Sequence, residues 1–488
     1  MVKLDRHDEA AGIVAGRRRG ERSVRTVTRD FGNDTLQQLG RAAAGLRLTD
    51  LPAEGLQRAK QRVLDTLGCL VMGYHDGISS EIRDYVQAQG GRAEATLLPR
   101  GEKTTAALAG LAHAAYIFGL ELSDAAPRGT VHPGSEIVSI ALAVAERERL
   151  SGAAIIPALV AGYEIEIRFG RALHPSAFYK GWSTIGLLGI LGPTVTSGHL
   201  LGLDAERMAN AIGIALHLAP ATTGRANQPG SVKWLVGGHA CATGLLAAEM
   251  ARRGTTGSRA VDAWLKVISD DAHPQRLLEG IDADGRFTQW ELLSGVVTKY
   301  YAAPGPIATP IEAMFMLLEK HAIRADDIER IDADCTRRTA IFSQPNPSDE
   351  LEARGSLPHC LALAVCKRDP ALLLGPGYRE PMIQDPAIRA MAAKVRITAN
   401  EAYESQYPAR SLARITLHLR DGKSVSLEAD RSEIRRYLEP TDADIEAKFR
   451  LIAQPVLGEQ KTKRIVDIAF GLERAGDTRE LMQAMQAT

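Results

Sequence analysis

The chain has 488 residues, with 59 Lys and Arg against 59 Asp and Glu, and 45% of it is apolar. A formal charge of zero gives no global field to attract nucleic acid or an anionic membrane, so neither is expected as a partner. The five cysteines, Cys69, Cys241, Cys335, Cys360 and Cys366, contain no Cys-x-x-Cys pair. That fits a reducing, cytoplasmic setting and argues against a disulfide framework or a zinc ribbon.

Residues 1–34 are polar, with the run Arg17-Arg18-Arg19 and no apolar core of a secretory signal. They are expected to form a flexible tail, a transit peptide being the alternative. No apolar run reaches membrane-spanning length. From Leu48 the text becomes regular. Thr49, Asp50 and Pro52 suit a helix start. Leu56, Ala59, Val63, Leu67 and Leu70 then recur at steps of three and four, which predicts one apolar helix face. Ala-, Gly- and Leu-rich helices are predicted over 104–122, 135–149, 153–172, 184–201, 204–218 and 236–253. Several are apolar on most sides, as in buried helices of a large bundle.

After about residue 290 the pattern changes. A helix over 309–321 precedes a strand over 330–335, and another strand falls at 394–398. Two alternating runs, 412–419 and 424–428, flank Arg420-Asp421-Gly422-Lys423, the signature of a hairpin. Helical spacing returns from Asp442. The expected fold is mainly α. An all-α domain is built from both chain ends, 35–293 and 431–488, and a smaller α+β domain, 294–430, is inserted between them.

Four places carry polar residues that the helices do not require. In Glu121-Leu122-Ser123-Asp124 an apolar helix ends in carboxylates, and Val131-His132-Pro133-Gly134 opens the next. A helix N-terminus lowers a histidine pKa and a carboxylate raises it, which can poise His132 as a general acid/base. The same residues would also serve as plain caps and a turn. Ser183 and Thr184 enter an apolar helix and either cap it or hold an anion. Lys233 follows the loop Asn227-Gln228-Pro229-Gly230-Ser231 and either binds a carboxylate or faces water. Lys299, Tyr300 and Tyr301 precede a Pro/Gly loop at the start of the inserted domain. They either line an interdomain cleft or pack at the joint. There is no GxxxxGK[ST], GxGxxG after a strand, HExxH or GxSxG, and the twelve histidines show no metal-ligand spacing. No cofactor and no metal is implied.

The stretch from Leu51 to Cys69 resembles the opening of the MmgE/PrpD family, which includes 2-methylcitrate dehydratase, cis-aconitate decarboxylase and iminodisuccinate epimerase. The resemblance continues through Glu121 to His132, Gly181-Trp182, Gly198 to Asp204, Val232-Lys233, Lys299 to Tyr301 and Arg354 to Pro358, covering roughly 35–475. It implies a large helical domain with an α+β lid, usually in a homodimer, and a cofactor-independent site in the cleft between them. The implied substrates are small di- and tricarboxylic acids, with chemistry centred on a proton beside a carboxylate. On the family's motifs His132, Asp124, Lys233 and Tyr301 are expected to be catalytic. Glu121, Lys299, Ser183, Thr184 and Gln228 are expected to bind substrate.

The chain departs from the family where Ser183 stands in place of a histidine, Ser123 in place of an aspartate, and Ala308 in place of a later histidine. A lyase of dehydratase or decarboxylase type is the first expectation. An epimerase or isomerase on a small dicarboxylate, needing fewer proton donors, is the second. A non-catalytic acid-binding homologue is the third.

Overall fold

The computed structural model describes residues 35–77, 80–220 and 232–486. The 1–34 tail and Gln228 lie outside the described residues. The fold is mainly α, as its composition and spacing predict. The helix expected after Pro52 runs Ala53–His75, with Pro52 itself as the N-cap. Pro52 lacks the N–H that a first turn would leave unpaired anyway. The next long helices are Ala106–Leu120, Pro133–Glu148, Gly152–Leu173, Ala205–Leu218 and Val232–Arg252. The segment expected as one helix over 184–201 is two, Thr184–Leu188 and Leu191–Leu200.

The helices Ala106–Leu120, Pro133–Glu148 and Gly152–Leu173 bury nearly every side. In Ala106–Leu120 all but three residues are buried, because alanine and glycine on neighbouring helices let backbones close in. Gly238 shows the requirement: a Cβ there would stand 2.6 Å from the carbonyl oxygen of Leu111. Any side chain at 238 would lift the Val232–Arg252 helix off its neighbour and displace Lys233 at its start.

The C-terminal return also forms. Asp442–Leu457 packs along Ala53–His75. There Lys448 reaches Asp65 and donates to the Leu122 carbonyl at 3.0 Å. A buried cation thus ties the last helices to the loop that leads to Asp124.

A short hairpin, β1 (Ala95–Leu97) and β2 (Glu102–Thr104), precedes the bundle core. The other strands are β3 (Ile328–Cys335), β4 (Val395–Ala399), β5 (Leu412–Leu419) and β6 (Ser424–Asp430), in the order β4-β3-β5-β6. The Asp421-Gly422 turn joins β5 to β6, with Gly422 at φ 84°, the left-handed conformation such a turn requires. β3 is antiparallel to β5 and parallel to β4. Cys335 pairs with Ala413, and Leu412 with Asp430. The ends of β3 and β6 and the beginning of β5 therefore meet at one end of the sheet. The residues that follow or precede them, Thr336 to Thr339, Tyr407 to Ser411 and Arg431, are delivered together to the loop carrying His132.

Among the described residues no helix is long and apolar enough to cross a membrane. All five cysteines are free thiols, four of them buried.

Candidate active site

The site begins where the Ala106–Leu120 helix stops. Glu121 caps it in the left-handed conformation, φ 59° and ψ 25°. For a residue other than glycine this is unfavourable by about 1 kcal/mol. Two lysines hold it there. Lys233, at the start of Val232–Arg252, pairs with Oε1, and Lys299 donates to Oε2 at 3.1 Å. The Lys233 ammonium also sits 5.8 Å from the centre of the Phe118 ring. Burial alone would raise the Glu121 carboxyl, but the two lysines outweigh it and hold the group below the usual carboxylate range. Burial lowers the Lys299 pKa, opposed by Glu121. One carboxylate between two ammoniums leaves the cluster a net cation.

His132 is the N-cap of Pro133–Glu148. Its Nδ1 is 3.1 Å from the carbonyl oxygen of Asp124. A carbonyl can only accept, so Nδ1 carries the proton and Nε2 keeps its lone pair. Burial and the nearby Lys299 push the imidazole pKa down to about 4, against the pull of Glu121. His132 is thus a neutral base near neutral pH.

Asp124 and His132 share a backbone bond, but the Asp124 carboxylate turns into the core. Its Oδ1 accepts from Gly134 N–H at 2.9 Å and its Oδ2 from the Tyr163 hydroxyl at 2.7 Å. The Arg62 guanidinium lies 3.9 Å from Oδ2. Burial raises the Asp124 pKa, with Arg62 and Tyr163 opposing. Arg62 also donates to the Thr298 hydroxyl at 2.8 Å. One buried guanidinium thereby braces the His132 arm through Asp124 and the Lys299 arm through Thr298.

His132 borders a cavity that the end of the sheet closes. Two guanidiniums line it and no carboxylate does, among the described residues. Arg338 is 8% exposed and donates to Thr130 Oγ1 at 3.3 Å and to the Tyr407 hydroxyl at 3.1 Å. Its guanidinium lies 4.3 Å from the Phe178 ring centre. Arg431 is 6% exposed, donates to the Gly305 carbonyl and lies 5.6 Å from the Tyr437 ring centre. Burial pushes the Arg431 pKa down and the neighbouring Arg338 adds to the effect. The sequence reading singled out neither arginine. The one available signal was their position just past the ends of two strands, and it becomes informative once the pairing of those strands is known.

Thr130, two residues before His132, sits at φ 57°, a rare conformation for a β-branched residue. It is fixed from both ends. Thr184 donates to its carbonyl at 2.6 Å, and its hydroxyl meets His174 Nδ1 at 2.8 Å as well as Arg338. Thr184 therefore contributes through the loop that aims His132. Ser183 caps Thr184–Leu188 by accepting from Gly186 N–H at 3.2 Å. Tyr301 is placed elsewhere. It is 4% exposed, stacks on Phe315 at 6.2 Å and lines a separate open cleft with Glu312 and Arg436. The structure thus gathers His132, Glu121, Lys233 and Lys299, and sets Tyr301 apart. Among the described residues no group of three or more His, Cys, Asp or Glu side chains is arranged to hold a metal ion.

A neutral base bordered by buried cations can exchange a proton on a small anion. Residues 37–275 match the MmgE/PrpD N-terminal domain and residues 301–473 the MmgE/PrpD C-terminal domain. The chain belongs to the MmgE/PrpD family. It is 24% identical over 469 residues to cis-aconitate decarboxylase of Aspergillus terreus, covering 91% of this chain and 94% of that protein. It is also 24% identical to the cis-aconitate decarboxylase-like protein oryM of Aspergillus oryzae, covering 90% and 94%. The cis-aconitate decarboxylase of Homo sapiens matches at 24% over 89% of this chain and 91% of its own length.

Proposed function

We propose that this protein is a lyase of dehydratase or decarboxylase type acting on a small di- or tricarboxylic acid. The observation that carries the reading is His132, whose Nδ1 is committed to the Asp124 carbonyl while the ring borders a cavity rich in cations. Lys233 and Lys299 balance the charge of the carboxylate next to the reacting carbon. Its C–H is then more acidic, because the carbanion formed on deprotonation is stabilised by the same cations. In dehydration Nε2 takes that proton, the C–H electron pair becomes the C=C bond, the C–O bond breaks, and the imidazolium returns its proton to the departing hydroxide, which leaves as water. In decarboxylation the C–C bond to the lost carboxylate breaks and CO2 leaves. The electron pair stays on carbon and is protonated by the imidazolium, whose pKa the bound anion has raised. The inserted 294–430 segment acts as a lid over this site.

One observation favours the epimerase reading instead. Ser183 spends its oxygen on a helix cap and Ala308 is buried and apolar, so neither place supplies a second acid/base group. Proton NMR in D2O with cis-aconitate, citrate and succinate derivatives separates the readings. Loss of water or CO2 from one acid, reduced at least ~100-fold in His132→Ala, is expected. Deuterium exchange on an unchanged skeleton would establish the epimerase, and full turnover by His132→Ala would remove the histidine from the mechanism.

A further inference from the structure

We propose that Arg338 and Arg431 form a second anion subsite, which takes a carboxylate of the substrate remote from the reacting carbon and so selects polycarboxylates over monocarboxylates. The assignment rests on the acid-lyase reading and adds the residues that set its substrate range.

Two guanidiniums stand more than nine-tenths buried beside one cavity, and no carboxylate pairs with either among the described residues. A buried cation without a counter-ion is unfavourable. Every other arginine buried to this degree has a carboxylate or several backbone acceptors: Arg62 has Asp124, Arg168 has Glu164, and Arg354 has Glu350. Arg338 in addition has a buried Nε with no hydrogen-bond partner. Its remaining bonds, to Thr130 and Tyr407, and its stack on Phe178 fix the guanidinium plane and leave that edge unspent. Such a rigid, unpaired fork suits a carboxylate, which it can meet with two parallel hydrogen bonds.

Position supports the same reading. Arg338 follows β3 and Arg431 follows β6, whose ends meet through β5 at one end of the sheet. Thr336 and Ser411 line the same cavity, their hydroxyls bonded to those of Thr339 and Thr309. His132 borders this cavity and is also within the electrostatic reach of Lys299 and Lys233. One carboxylate at the lysines and another at the arginines would hold the intervening carbon at the imidazole. Binding energy from the remote carboxylate then orients the reacting C–H, which a monocarboxylate cannot obtain.

The test is calorimetric titration of the full chain with tricarballylate, an unreactive tricarboxylate, and with butyrate. Wild type is expected to bind tricarballylate far more tightly than butyrate. Arg431→Gln and Arg338→Gln should each weaken tricarballylate at least about tenfold and leave butyrate little changed, since a lost charge-assisted pair has that size. The conservative Arg431→Lys should recover part of the loss. Thermal melts establish that each variant is folded, and Arg431→Gln decides alone if Arg338→Gln, which also releases Thr130, does not fold. Tricarballylate bound equally by wild type and Arg431→Gln, but lost in Lys299→Met, would overturn the arginine subsite and leave the lyase reading intact. Failure of wild type to bind tricarballylate at all would overturn both.

Discussion

At the scale of single residues, the chemistry of His132 depends on two neighbours. The Asp124 carbonyl fixes the tautomer and Lys299 helps keep the ring neutral. The folded pKa, about 4, lies below the unfolded value near 6.5. The unfolded chain therefore binds the proton first as pH falls. Stability from this group is whole above pH 6.5 and is lost between 6.5 and about 4, by roughly 3 kcal/mol. Histidine-labelled NMR should show one ring titrating near pH 4, absent in His132→Ala, and moving upward in Lys299→Met. Titration of the His132 ring itself near 6.5 in wild type would refute the account. Glu121, His132 and Lys233 were legible because each sits at a helix end, where a polar residue interrupts an apolar run, and Lys299 because it stands with two tyrosines before a Pro/Gly loop, between the helix ending at Ser294 and the turn starting at Gly305. Arg338 and Arg431 were not, since a buried and an exposed arginine look alike until the strands before them are paired.

At the scale of elements, the helix Ala53–His75 has a role beyond packing. Its Arg62 is 1% exposed and reaches both Asp124 and Thr298. Arg62→Met would leave the Asp124 carboxylate buried with two neutral donors and free the Thr298 hydroxyl. Removing one partner of a buried ion pair typically costs about 3–5 kcal/mol. The variant should melt at lower temperature and turn over more slowly, with kcat reduced more than substrate affinity, because His132 and Lys299 lose a common brace. A melting temperature equal to wild type would show that the brace carries no load. Local pattern found these elements well. The Asp421-Gly422 hairpin and the strand ending at Cys335 stand where the alternation placed them. The parallel pairing of β3 with β4 was not readable, because it joins residues about sixty positions apart through side-chain packing and leaves no local trace. The break near Gly189 also escaped the sequence reading, since the apolar spacing continues across it.

At the scale of the molecule, one helix face among the described residues carries exposed apolar side chains in a row. The outer face of Val232–Arg252 exposes Leu235, Leu246 and Met250 at helical spacing, 43%, 49% and 36% accessible, with Leu218 of the preceding helix at 39%. Apolar side chains aligned on one face are costly in water and are commonly covered by a partner. We propose that a second copy of the chain covers them, in the two-fold arrangement in which one patch meets itself. The same helix starts at Val232-Lys233, so its packing bears on the ammonium that holds Glu121. Light scattering after size exclusion should give twice the chain's 52.6 kDa for wild type and the single mass for Leu235→Glu/Leu246→Glu. Because the face and the lysine share one rigid helix, the monomeric variant should also bind tricarballylate more weakly than the dimer. A wild-type chain that elutes at the single mass at micromolar concentration would overturn the pairing. A monomeric variant with undiminished affinity would show that the dimer face and the site are independent.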